Sequence, residues 1–212
     1  MKTFTPRTFT IPELKGISQK SIDEHIKLYQ GYVKHANLIL EKIAEFSKDP
    51  ASAEANAYAI NEMQRRFGFE FDGMKNHEYY FEQFELELDG HLSRLSQSEP
   101  NTLTTGALKT AIEEEWGSFD AWLARFKAIG LTRGIGWAIL YYDKTTNRLV
   151  QTWVDEQHLG QLNDVKIILA LDMWEHSYLF DYVPADKKKY IEAVFENLNW
   201  AVVEARFVKA QA

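Results

Sequence analysis

No cysteine occurs anywhere in the chain. That absence removes disulfides, thiolate nucleophiles, iron–sulfur clusters and cysteine-ligated zinc together, so any metal has to be held by nitrogen and oxygen. Such ligands suit manganese, iron or zinc better than copper(I) and make His, Asp and Glu the side chains to follow. Long hydrophobic runs are lacking as well. No stretch approaches a bilayer-spanning length, and Met1 to Pro6 holds no apolar segment ending in a small-residue cleavage site, so a cytoplasmic protein without a membrane partner is expected. Positive charge is scarce, with 24 Lys and Arg against 31 Asp and Glu for a formal charge of −7. No basic stripe is available to neutralise phosphates, which argues against a nucleic-acid partner. The bulk field also repels small anions. The one dense cationic cluster, Lys187-Lys188-Lys189, reads more simply as a solvated helix start. Also missing are G-x-G-x-x-G, a Walker loop, H-E-x-x-H, a nucleophile elbow, internal repeats and low-complexity tracts.

What is present is a globular composition. The 212 residues are 45% hydrophobic, enough to bury a full core in one domain or two small halves packed together. From Ser18 to Phe46, apolar residues from Ile22 through Ala44 recur at helical spacing and predict a long amphipathic helix capped by Ser18 or Ser21. Asp49-Pro50 breaks that pattern, and Ala51 to Arg66 predicts a second helix, antiparallel to the first. After a turn at Asp72-Gly73, His77 to Leu95 predicts a third. The polar stretch Gln97 to Gly106 marks a boundary between an N-terminal helical hairpin domain, 1–97, and a C-terminal domain, 98–212.

Beyond the boundary the pattern changes. Ala107 to Trp116 and Ser118 to Ile129 predict short helices, with Ser118 as an N-cap. Gly136 to Tyr142 and Leu149 to Val154 flank the turn-like Lys144 to Asn147 and predict a hairpin. Val165 to Leu171, apolar at nearly every position, predicts a strand buried on both faces. Helices at Lys187 to Leu198 and Trp200 to Val208 close the chain. The fold class is α+β, with a small three-stranded, mostly antiparallel sheet in the C-terminal half.

The residues able to carry chemistry form a His and carboxylate set: His25 on the first helix, His77 at the start of the third, and Asp172 and His176 after the buried strand. A carboxylate and an imidazole four residues apart at a strand end can address one ion. The run Asp172-Met173-Trp174-Glu175-His176-Ser177-Tyr178 resembles the D-x-W-E-H-x-Y signature of iron/manganese superoxide dismutases. Tyr32-Val33 with Asn37, Asn76-His77, Gly117-Ser118-Phe119, Gly136-Trp137-Ala138 and Asn199-Trp200 fall in family order, so the likeness covers nearly the whole chain.

The resemblance implies an oxidoreductase that converts superoxide to oxygen and hydrogen peroxide with one manganese or iron ion per chain. It makes His77, Asp172 and His176 ligands, and it implies a homodimer in which Glu175 reaches His176 of the other copy. Tyr32 would gate the substrate funnel, Gln157 would hydrogen-bond the metal-bound solvent, and Trp137 and Trp174 would wall the site. Glu156 and His158 compete with Gln157 for its role. Gly73 leaves empty the other family position for that glutamine, as in the manganese-type arrangement, although similar ligand sets serve either ion.

Two departures stand out. The first-helix ligand normally lies eight residues before the tyrosine, which here is Glu24, with His25 at seven. On an ideal helix Glu24 is turned about 80° from Tyr32 and His25 only about 20°. Ser21 to Glu24 also matches a capping box, which favours His25 and leaves Glu24 as the alternative. At the dimer contact, Leu28 or Tyr29 and Leu179 stand where the family often pairs a histidine with a tyrosine. A dismutase-like protein without efficient turnover, or a two-His-one-carboxylate iron oxygenase, is the alternative reading.

Overall fold

The computed structural model describes residues 2–85 and 103–212, together with the backbone of 87–88 and 91–92. Helix α1, Gln19–Phe46, buries Ile22, His25, Tyr29, Val33 and Ala36, a stripe at three- and four-residue steps facing the core. Its N-cap is Ser18, whose Oγ accepts the Ser21 amide at 3.1 Å. The expected capping box therefore does not form: Ser21 lies inside the helix, and the Glu24 carboxylate turns out to Lys27 at 2.7 Å.

The second predicted helix divides at Asn56. Helix α2, Pro50–Ala55, is capped by Asp49, and helix α3 runs without interruption from Ala57 to Glu82. No turn occurs at Asp72-Gly73, and His77 sits in the last third of α3 rather than at the start of a new helix. Glycine inside a helix costs about 1 kcal/mol, a penalty that tertiary packing readily overrides; here the Tyr32 ring fills the space over Gly73.

The helix predicted to continue to Leu95 instead stops at Glu82. Gln83 is pinned from both sides, its Nε2 donating to the Ala170 carbonyl at 2.9 Å and its own carbonyl accepting from Asn199 at 2.8 Å. Two short strands, β1 (Glu87–Leu88) and β2 (His91–Leu92), pair antiparallel just beyond. Residues 93–95 of the expected helix, most of the predicted linker and the 97/98 boundary lie outside the described residues.

In the C-terminal half, α4 (Ala107–Trp116) and α5 (Phe119–Gly130) follow the expected spans, with Ser118 Oγ capping α5. The α4 N-terminus is capped from a distance, since the Glu204 carboxylate accepts from the Ala107 and Leu108 amides at 2.7 and 3.0 Å. Strands β3 (Gly136–Asp143), β4 (Arg148–Asp155) and β5 (Lys166–Asp172) form one sheet in the order β4-β3-β5 with both pairings antiparallel. Central β3 is buried over its first seven residues. At Gly136 the backbone comes so close to β4 that a Cβ would lie 2.1 Å from the Val154 carbonyl oxygen, and with φ at 156° only glycine fits.

Helices α6 (Lys187–Asn197) and α7 (Trp200–Gln211) complete the layer. Arg206 on α7 ties the halves together, donating to Glu82 at 2.9 Å and to the carbonyls of Tyr79 and Ile168 at 2.7 and 3.2 Å. Among the described residues no helix is long and apolar enough to cross a membrane.

Candidate metal centre

The ends of three elements converge between the halves. α1 brings His25, the antiparallel α3 brings His77, and the C-terminal end of β5 brings Asp172. The 3-10 turn Glu175–Ser177 then folds His176 back over the strand end. Ser177 Oγ fastens that turn by donating to the Trp174 and Asp172 carbonyls at 2.7 and 3.1 Å.

The Nε2 atoms of His25, His176 and His77 lie 3.1, 3.2 and 3.4 Å from a single oxygen, Asp172 Oδ2. The other carboxylate oxygen accepts the Trp174 amide at 2.8 Å, which fixes the carboxylate plane. His25 is 2% exposed, and His77 and Asp172 are fully buried. This is the one group of three or more metal-type ligands found among the described residues.

His77 Nδ1 lies 2.5 Å from the Gly73 carbonyl oxygen. A carbonyl only accepts, so Nδ1 carries the hydrogen and Nε2 presents a bare lone pair towards Asp172. That Nε2 is fully buried and has no hydrogen-bond partner. Two electron pairs facing each other 3.4 Å apart in a dry site call for a cation between them. Burial, and then the charge of a neighbouring imidazole, holds His77 well below its ordinary pKa; burial also lowers His25 against the pull of Asp172. Burial alone would raise Asp172, but the charge and hydrogen bonds of His176 and His25 outweigh it and keep the carboxyl below its usual range. Neutral imidazoles and one anionic carboxylate are the forms that ligate a metal.

The surroundings are aromatic and largely dry. His25 packs edge-on to His77, His176 and Phe81 at 4.9 Å, and Trp174 stacks on His176 at 5.7 Å. Trp137 stands on β3 directly across from Asp172, with its ring 5.0 Å from His77. Its Nε1 donates to Gln157 Oε1 at 2.9 Å, which turns Gln157 Nε2 towards the Tyr32 hydroxyl, also at 2.9 Å. The Tyr32 ring lies 5.1 Å from His77. Burial, and next the charge on Asp172, push the Tyr32 phenol well above its ordinary pKa, so it stays protonated.

Residues 104–206 match the family described as iron/manganese superoxide dismutases, C-terminal domain. Over 201 residues the chain is 36% identical to "Superoxide dismutase [Fe]" of Cupriavidus metallidurans, covering 93% of this chain and 92% of that protein. It is 35% identical to "Superoxide dismutase [Fe]" of Aquifex pyrophilus, covering 93% and 87%. Against "Superoxide dismutase [Mn]" of Mycobacterium leprae the identity is 32%, covering 88% and 82%. The chain belongs to the iron/manganese superoxide dismutase family.

For a dismutase of this family, the donor set fits one manganese or iron ion: three imidazole nitrogens and one carboxylate oxygen within 4.8 Å of one another. All six residues singled out from the sequence, Tyr32, Gln157, His25, His77, Asp172 and His176, come together at this point. Glu24 does not; it pairs with Lys27 on the outer side of α1. Of the competitors of Gln157, Glu156 offers only its carbonyl, to Trp174 Nε1 at 3.1 Å, while the His158 ring stands edge-on to Phe69 at 5.8 Å.

Tyr29 is fully buried and takes the Arg7 amide at 2.8 Å, so of the two only half-buried Leu28 lies near the surface; Leu179 is exposed. Lys187 donates to the Thr132 carbonyl at 3.0 Å, and burial lowers its pKa; Lys188 and Lys189 are solvated. Sequence reasoning missed the buried pair Tyr80 and Tyr190, whose hydroxyls meet at 3.0 Å, and the amides of Asn76 and Gln161 behind Gln157. Asn76 was visible as the neighbour of His77. Gln161 lies in a loop, where no periodicity announces which way a side chain turns.

Proposed function

We propose that His25, His77, Asp172 and His176 hold one manganese or iron ion with which the protein dismutes superoxide, and that Tyr32 and Gln157 serve the reaction beside it. The observation that carries the ligand set is the unpartnered, fully buried Nε2 of His77 aimed at Asp172 Oδ2. An ion held by these four residues would supply one-electron redox chemistry, taking an electron from one superoxide to release oxygen and passing it to a second, which with two protons from the medium becomes hydrogen peroxide.

The chain's part is positional and electrostatic. The Gly73 carbonyl sets the His77 tautomer, and the Trp174 amide sets the Asp172 plane. Tyr32 accepts a hydrogen bond from Gln157 while burial holds its own hydrogen in place, so a neutral phenol able to donate a proton stands beside His77. Phe81, Trp137 and Trp174 exclude water and strengthen every charge interaction within.

The same reading takes the protein as a cytoplasmic homodimer of two-domain chains, 1–97 and 98–212. Leu179, Phe180 and Val183, each about half exposed beside the His176 turn, support an apolar contact between copies. Glu175 points outward next to them and would reach His176 of the second copy. The change from paired helices to a sheet-bearing half supports the division.

The deciding experiment is superoxide consumption by pulse radiolysis, expressed per metal atom, on protein loaded separately with each metal and counted. Fast turnover with either ion is expected. A fully loaded protein inert with both ions would leave a dismutase-like fold without the activity.

A further inference from the structure

Behind Gln157 the chain builds a second polar layer. Asn76, fully buried, donates from Nδ2 to the Gln157 carbonyl at 2.9 Å and accepts at Oδ1 from Gln161 Nε2 at 2.9 Å. Gln161 Oε1 in turn accepts the Tyr141 hydroxyl hydrogen at 2.5 Å, and Tyr141, 1% exposed, receives the Leu162 amide. Each amide orientation is dictated by the one before it, because a hydroxyl donating to Gln161 demands its oxygen and leaves its NH2 for Asn76. The series therefore has one sense, from Tyr141 on β3 to the main chain of Gln157.

The main chain needs such a hold. Glu156, immediately before Gln157, has φ at 51°, in the left-handed region that a non-glycine residue occupies at a cost of about 1–3 kcal/mol. Asn76 also directly precedes His77 on α3, so its bond sets the distance between that helix and the loop carrying Gln157.

We propose that Gln161 is a positioning residue for Gln157, acting through Asn76 and itself held by Tyr141. This rests on the reading of Gln157 given above. With Gln161 removed, Asn76 Oδ1 is left buried and unpaired, Asn76 turns, and the Gln157 carbonyl is released. The Gln157 side chain then no longer meets Tyr32 at a fixed distance, and sites of this kind lose function through displacements of about 1 Å.

The test compares Gln161→Leu, Gln157→Ala and their double variant, each loaded with manganese and counted. Turnover per metal and the midpoint potential of the bound ion are read, with amide hydrogen exchange over residues 155–162 of the metal-free proteins. Gln161→Leu is expected to keep its metal, lose about tenfold in turnover per metal, and move the potential in the same direction as Gln157→Ala. Exchange in the loop should rise, and in the Gln157→Ala background the substitution should change neither turnover nor potential further.

Parent-like potential and exchange in Gln161→Leu would overturn the inference, and so would additive effects in the double variant. If Gln157→Ala itself moves neither turnover nor potential, the reading of Gln157 fails first and takes the inference with it. Should Gln161→Leu fold poorly, Gln161→Met decides: it is uncharged and close in shape, lacks the donor to Asn76, and must reproduce the same shifts.

Discussion

Gly73 does two things at once: its carbonyl orients His77, and its missing side chain makes room for Tyr32. A Cβ there would meet Tyr32 Cδ1 at 2.7 Å. Gly73→Ala therefore sets an overpacking cost of about 1–3 kcal/mol against a helix-propensity gain of about 0.5–1 kcal/mol. The expected outcome is a fold within about 2 kcal/mol of the parent by denaturant melt, with Tyr32 displaced from Gln157 and turnover per metal reduced to that of Tyr32→Phe. Parent-like turnover would show that Tyr32 has room to move. At this scale the convergence of the candidate residues was largely legible. The step from Asp172 to His176 is local, and the helical phase against Tyr32 set His25 apart from Glu24. The choice among Glu156, Gln157 and His158 was not legible, because Trp137 and Tyr32, far away in sequence, decide which of the three turns inward.

Helices and strands tell a different story. The β3–β4 hairpin and β5 follow alternation and β-branched content closely, and α1 follows its apolar stripe with the first of the two candidate caps. The third helix was misplaced because Asp72-Gly73 carries the local chemistry of a turn, while α1 packing over Gly73 keeps α3 continuous. Its end was overextended because the contacts that stop it, from Gln83 to β5 and α7, come from residues more than 80 positions away. A second distant contact invites a test. Glu204 on α7 satisfies two free amides at the α4 N-terminus, a role usually played by a neighbour in sequence. Glu204→Ala should destabilise the protein by about 1–2 kcal/mol, measured as a lower denaturant midpoint with an unchanged slope. An unchanged midpoint would mean that water caps α4 equally well.

For the molecule as a whole, stability depends on the solvent and on the ion. Asp72, half-buried near Tyr141, has its pKa raised to about 6 by burial. Its unfolded value is lower, so the folded chain holds this proton more tightly. The group therefore costs nothing below about pH 4 and its full penalty appears above about pH 6. Asp72→Asn should gain stability relative to the parent as pH rises from 4 to 7 in paired denaturant melts; a difference independent of pH would contradict the assignment.

Metal removal acts more broadly. Free ion at a hundred times its dissociation constant adds about 2.7 kcal/mol, or about 5–10 °C for a chain of this length. Stripping the protein with a chelator should lower its Tm by that order in a calorimetric scan, and His77→Ala should abolish the difference.

The spread of the proposed ligands along the chain also has a consequence in time. His25 and Asp172 are 147 residues apart. A ribosome adding about 5–20 residues per second delivers the carboxylate about 7–30 s after the first imidazole. Until then the nascent chain offers first His25 and later His77, without the Asp172 carboxylate that faces both in the folded protein. On the proposed ligand set, capture of a redox-active ion falls after synthesis of the last strand, and an unfinished polypeptide lacks the complete site.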